Sequence, residues 1–247
     1  MIQVNDLRKT FEDKKRGTIH AVDGVSFECC PGEIFGLLGP NGAGKTTILR
    51  ILATILTPTS GTASVAGADI RTQPALVRQR IGFLTGSAAP YERMTAREMV
   101  GYFGALYGLT ASEIAERSKS LFDELDMNDF ADGRCDKLST GQKQRVNIAR
   151  TLIHQPSVLF FDEPTSGLDV VSSRTVKRTI RRCRDEGRTI VFSTHIMSEV
   201  EALCDRIAVI YQGKIAAIGT LEELREQTGK VAFEHVFLKL IDEEEDE

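Results

Sequence analysis

The run Gly39-Pro40-Asn41-Gly42-Ala43-Gly44-Lys45-Thr46-Thr47 follows a short apolar stretch, Ile34–Leu38, and precedes a helix-forming one. Its spacing is Gly, four residues, then Gly-Lys-Thr. Glycines so placed let the backbone curl until successive N–H groups face a phosphate chain, and the following helix N-terminus adds partial positive charge. Lys45 is then placed to reach the β- and γ-phosphates, and the Thr46 hydroxyl to ligand Mg²⁺. Such a loop binds nucleotide without saying what is done to it. A second run, Val158-Leu159-Phe160-Phe161-Asp162-Glu163, supplies that. A buried strand delivers two carboxylates to its C-terminal end, where open α/β sheets bind ligands. Asp162 is placed to hold Mg²⁺, and Glu163 to orient and deprotonate an attacking water.

A third group is Leu138-Ser139-Thr140-Gly141-Gln142, ahead of a helix running to His154. Ser139 or Thr140 can cap that helix and leave its first N–H groups facing outward as an anion site. On its own this is equally a capped surface helix.

These residues need strands and helices to present them. Apolar runs alternate with helical patterns, which predicts an α/β fold on a largely parallel sheet. Strands are expected at Ile2–Val4, Val25–Glu28, Ile34–Leu38, Gly61–Val65, Ile81–Leu84, Val158–Asp162 and Thr189–Ser193. A hairpin is expected to pair Arg206–Tyr211 with Lys214–Ile218 around Gln212-Gly213. Helices are expected at Lys45–Leu56, Ala96–Tyr107, Ala111–Leu125, Gly141–Ile153, Ser173–Glu186, Ser198–Cys204 and Leu221–Gln227. From about residue 87 to 155 the pattern is almost wholly helical, which reads as an inserted helical subdomain. Residues 1–220 then form the main domain. Residues 221–247 form a short helical appendage with an acidic tail.

The whole-chain balance narrows the classes. The 247 residues, 41% hydrophobic and 27% charged, suit one globular core near its upper size of roughly 250 residues and rule out disorder. Lys and Arg number 31 against 35 Asp and Glu, and the last six residues, Asp242 to Glu247, are all acidic. The remainder is near neutral, so no nucleic-acid partner is expected. No apolar run approaches the roughly 18 residues of a membrane span. The start, Met1 to Asp6, predicts no secretory leader. Cys29, Cys30, Cys135, Cys183 and Cys204 are odd in number and lack metal-ligand spacing, so they read as reduced thiols in the cytosol.

Taken in order, the phosphate loop, Leu-Ser-Thr-Gly-Gln, the strand ending Asp-Glu-Pro, Ser166-Gly167-Leu168-Asp169 and Ser193-Thr194-His195 resemble the ATP-binding cassette (ABC) ATPases over about residues 1–220. The resemblance implies a P-loop NTPase core with a mixed, largely parallel sheet, an N-terminal antiparallel β part and the helical insertion. It implies ATP with Mg²⁺ as ligands, and two copies closed head to tail around two nucleotides. Phe11 matches the aromatic that stacks on adenine. Ser139, Thr140 and Gly141, with Gln142, match the signature that meets the γ-phosphate held by the other copy. Asp169 matches the loop between the two sites, and His195 the switch histidine at the γ-phosphate. With Glu163 and Lys45, His195 completes the implied catalytic set.

Two positions depart from the family pattern. Thr140 stands where glycine is usual. Gly86 stands where a glutamine normally contacts Mg²⁺ and senses the membrane partner, leaving Thr85, Ser87 or water to substitute. The resemblance further implies a separately encoded permease docked near residues 87–97, with Tyr91-Glu92-Arg93-Met94-Thr95 as a contact patch, and a place on the inner face of the cell membrane. Ile81–Gly86, Thr194–Met197 and Phe233–Leu240 are similar to the sodium-extrusion branch of type-2 exporters. The rival readings are a soluble cassette acting on ribosomes or DNA, a binding-only switch, and a generic P-loop kinase. They are disfavoured by the single short cassette, by Glu163, and by the Leu138–Gln142 signature respectively.

Overall fold

The computed structural model describes residues 1–14, 17–85 and 90–241. In chain order the strands are β1 (Ile2–Asp13), β2 (Gly17–Cys29), β3 (Ile34–Leu38), β4 (Ser60–Val65), β5 (Ala68–Asp69), β6 (Ile81–Leu84), β7 (Val158–Asp162), β8 (Thr189–Thr194), β9 (Arg206–Tyr211) and β10 (Lys214–Gly219). The helices are α1 (Lys45–Leu52), α2 (Pro74–Arg80), α3 (Ala96–Leu106), α4 (Ala111–Glu124), α5 (Thr140–Leu152), α6 (Val170–Asp185), α7 (Met197–Leu203), α8 (Leu221–Thr228) and α9 (Phe233–Leu240).

The central sheet has the order β10-β9-β3-β8-β7-β6, with β10 antiparallel and the other strands parallel. A second, antiparallel sheet has the order β2-β1-β4-β5. The mixed, largely parallel sheet with an N-terminal antiparallel part is therefore as expected. Strands β3, β7 and β8 are buried at every position, as parallel strands covered on both faces must be. Their side chains alternate between two cores. Phe35, Leu37, Phe160 and Val191 pack with α1 and the antiparallel sheet, while Leu159, Phe161, Ile190 and Phe192 pack with α3 to α6.

Several elements differ from expectation. Strands β1 and β2 run well beyond their short apolar segments, because their outer halves are mostly exposed and pair with each other without burying a regular row of side chains, with Lys9 and Thr10 also bonded to Thr57 and Thr59. Helix α1 stops at Leu52, where Thr54 turns to a left-handed φ of 60°. Helix α2 was not expected. It is seven residues long, opens on a proline and buries only Val77, too little for a periodic signal. Helix α9 lies beyond the last expected helix, and its Phe233, Val236 and Phe237 share a core with Leu38, Val200, Ile207 and Val209. The acidic run Asp242–Glu247 lies outside the described residues. Between β6 and β7, the described residues form α3 to α5, two short 3₁₀ turns and one isolated bridge, Thr95 to Arg134. All five cysteines are unpaired.

Candidate active site

Strand β3 leads into the phosphate loop, and two neighbours fix its path. Gly44 caps α1 at φ 109°, and a Cβ there would lie 2.4 Å from the Ala21 carbonyl of β2, so the position requires glycine. The β9–β10 turn places Gln212 and Gly213 at φ 47° and 79°, the pattern of a tight hairpin. The Gly213 N–H donates to the Ala43 carbonyl (3.0 Å), and Asp23 N–H donates to the Gly213 carbonyl (2.8 Å). The result is a cavity of ≈ 130 Å³ lined by Ala21, Asn41 to Thr47, and Glu163. Gly39 and Pro40 act from behind: their carbonyls accept from Lys45 Nζ at 2.6 and 3.0 Å. Burial pulls the Lys45 ammonium below its ordinary 10.5, opposed by the carboxylates of Glu163 and Asp162.

The two acids leave the end of β7 in different directions. Asp162 Oδ1 accepts from Ser193 Oγ (2.6 Å) on the neighbouring strand and from Thr46 Oγ1 (3.0 Å). Glu163 takes a left-handed φ of 48° while its N–H donates to the Ser193 carbonyl (3.0 Å). A non-glycine residue held there stores about 1–3 kcal/mol of strain. Its Oε1 lies 3.0 Å from His195 Nδ1 and 3.9 Å from Lys45 Nζ. A carboxylate only accepts, so Nδ1 carries the proton in this contact.

Hydroxyl and carboxylate oxygens from Thr46 and Asp162, side by side, suit Mg²⁺, which takes one or two protein oxygens beside phosphate and water. Among the described residues no cluster of three or more His, Cys, Asp or Glu could form an all-protein cage instead.

The remaining expected residues lie elsewhere on the chain. Phe11 stands opposite Ile19 on the β1–β2 hairpin, half-exposed, with Lys9 Nζ 5.0 Å from its ring centre. Of the two candidate caps, Ser139 performs the role: its Oγ accepts the Gln142 N–H (3.2 Å), and Gln142 Oε1 accepts the Ser139 N–H (2.9 Å). Thr140 is the exposed first residue of α5. Gly141 is buried against the start of α6, where Asp169 caps the helix by accepting from Ser172 N–H (2.9 Å) and Oγ (2.8 Å). Those bonds hold the Asp169 carboxyl below its ordinary value. None of Phe11, Ser139, Thr140, Gly141, Gln142 or Asp169 lines the phosphate cavity. Gly86 and Ser87 lie outside the described residues.

Sequence reasoning missed two residues that build the site. Ser193 positions both acids, although only His195 stood out in its Ser-Thr-His run. Gln144 donates to the Pro164 carbonyl (2.5 Å), tying α5 to the loop after Glu163.

A family model described as ABC transporter matches residues 22–166, from β2 through the phosphate loop and past Glu163. The chain belongs to the ABC transporter family. This ABC ATPase is 44% identical over 239 residues to the ABC transporter ATP-binding protein NatA of Bacillus subtilis (strain 168), covering 96% of this chain and 97% of NatA. It is 37% identical over 229 residues to the linearmycin resistance ATP-binding protein LnrL of the same organism, covering 93% and 72%. It also superposes on a dimeric ATP-binding cassette solved in a post-hydrolysis state with ADP and Pi. That match has a TM-score of 0.82 and 25% identity, covering 90% of this chain and 99% of the other. Within the family this chain is an ATPase that binds ATP and is coupled to transport. Among the described residues no helix is long and apolar enough to cross a membrane.

Proposed function

We propose that this chain is the ATP-hydrolysing subunit of an exporter, working as a pair that closes around two ATP molecules with Mg²⁺ and drives a separately encoded integral membrane permease. The observation that carries this reading is the arrangement of Lys45 and Glu163 on the phosphate cavity with His195 bonded to Glu163, and with the Ser139 helix start kept off the cavity. The loop N–H groups and Lys45 hold the β- and γ-phosphates. Thr46 and Asp162 would hold Mg²⁺, which when bound neutralises phosphate charge. Glu163 orients a water and takes its proton as the oxygen attacks the γ-phosphorus. The bond to the β–γ bridging oxygen breaks, and ADP leaves with that electron pair. His195 fixes the Glu163 carboxylate and meets the γ-phosphate. Positioning and charge stabilisation carry most of phosphoryl transfer.

The second copy supplies what the first lacks. The α5 start, with Ser139, Thr140, Gly141 and Gln142, offers a positive helix end to a γ-phosphate. Beside Asp169, Val170 and Val171 are 85% and 71% exposed, an apolar pair that a closing partner would cover. Loss of the γ-phosphate removes the bridge, and the pair reopens. The permease docks from the membrane side onto the exposed Tyr91, Tyr102, Leu106 and Tyr107, beside a ≈ 500 Å³ groove shared with Arg78 and His154. In this reading the chain works on the inner face of the membrane. Sodium as cargo rests on likeness to the sodium-extrusion branch, and the linearmycin-resistance relative favours a drug instead. Loaded vesicles carrying the complex distinguish the two by efflux of labelled sodium or of drug.

Mixing two inactive variants tests the shared site. Ser139→Arg and Lys45→Ala each inactivate both sites of their own dimer, but a mixed dimer holds one intact composite site. ATPase activity is expected to reappear on mixing. If it stays absent while mixed dimers form, each site belongs to a single chain.

A further inference from the structure

Glu199, in the first turn of α7, is 4% exposed and takes no part in the chemistry above. Its carboxylate joins three elements. Oε2 accepts from Thr194 Oγ1 (2.8 Å), and Oε1 accepts from Thr165 Oγ1 (2.6 Å) and pairs with Lys177 Nζ (3.2 Å) on α6. Thr194 precedes His195, and its Oγ1 also accepts the Ile196 N–H (3.0 Å), so the backbone is held on both sides of that histidine. Thr165 lies two residues past Glu163, in a turn closed by Ser166 N–H to the Glu163 carbonyl (3.2 Å) and Leu168 N–H to the Thr165 carbonyl (3.2 Å). One buried carboxylate therefore grips the chain two residues after Glu163 and one residue before His195.

We propose that Glu199 is a positioning residue for hydrolysis, setting the 3.0 Å Glu163–His195 contact through Thr165 and Thr194. This rests on the reading that Glu163 and His195 act on the water and the γ-phosphate. Hydrogen bonds to an ionised acceptor are short and strong. They suit a contact whose displacement by about 1 Å can cost on the order of 100-fold in rate. Glu199 touches no reacting atom.

Glu199→Gln keeps the side chain's shape but removes the charge and turns one of the two acceptor oxygens into an N–H donor, so one threonine hydroxyl must reverse its bond and both lose their ionised acceptor. Thr165→Val and Thr194→Val each remove a single anchor, and they read the same effect should Glu199→Gln fail to fold. The purified full chain is assayed for kcat, KM for ATP and Tm, in the wild-type and His195→Ala backgrounds. Glu199→Gln is expected to lower kcat about 10- to 100-fold with KM within about twofold. In the His195→Ala background it should cost less than about twofold more, the non-additivity of residues acting through one contact. An unchanged kcat, a KM that rises as kcat falls, or an equal loss in both backgrounds overturns the positioning role and makes Glu199 a core anchor only. His195→Ala at wild-type rate overturns the site reading itself, and with it the pair that Glu199 sets.

Discussion

Gly141→Ala tests whether the starts of α5 and α6 are fitted to one another. A Cβ at Gly141 would lie 2.2 Å from Ser172 Oγ and 3.0 Å from Ser172 Cβ, with Asp169 Oδ2 at 3.6 Å. Neither helix can yield freely, because Ser172 makes both bonds that cap α6 and Ser139 caps α5 one turn away. Overpacking of this kind costs about 1–3 kcal/mol. For a chain of this size that lowers Tm by roughly 2 to 12 °C. The assay is thermal and urea unfolding of the wild type, Gly141→Ala, Ser172→Gly and the double variant, with ATPase rate measured on each. Ser172→Gly removes both clashing atoms, so the double variant should recover much of the loss seen with Gly141→Ala, a coupling visible as non-additive stability. ATPase activity should fall with Gly141→Ala even below its unfolding range, because in the proposed pair the displaced helix start is the one offered to the partner's nucleotide. A Gly141→Ala protein that melts and turns over like the wild type would refute the fitted contact.

Glu163→Gln should retain ATP binding and accumulate as a closed dimer on size exclusion, while single-turnover hydrolysis falls about 10²- to 10⁴-fold, the range for loss of a general base. Ser193→Ala removes the donor that orients Asp162 and should weaken magnesium about 10- to 100-fold, read by titrating Mg²⁺ against ATPase rate. The bonds from Ser172 depress the Asp169 carboxyl below 3.8, so its stabilisation of α6 is present above that value and is lost as pH falls through the depressed one. Acid unfolding of Asp169→Asn, which keeps a capping acceptor without the charge, should therefore be less steep with pH in that region.

The phosphate loop was legible because its chemistry is local, with glycines, lysine and threonine acting through the backbone of nine consecutive residues. Strands β3, β7 and β8 were legible because burial on both faces demands unbroken apolar runs. The Ser139–Gln142 capping box was legible as a helix start, though capping chemistry alone did not decide between Ser139 and Thr140. Contacts that depend on sheet order were not legible. Ser193 reaches Asp162 only because β7 and β8 are neighbours, although 31 residues separate the two. Glu199 looked like any acidic residue on a helix, since its three partners come from separate elements. Gly141 against Ser172 was hidden in the same way, by an intervening helix, strand and loop. The outer halves of β1 and β2 and the short α2 were missed because they bury too few side chains to impose a period.

Glu163 stands at a backbone angle that glycine would occupy without penalty. A library of this chain screened only for survival on heating should therefore drift toward glycine at that position, enriching variants that are sturdier and idle. Thermal selection and selection for fuel turnover pull this single residue in opposite directions.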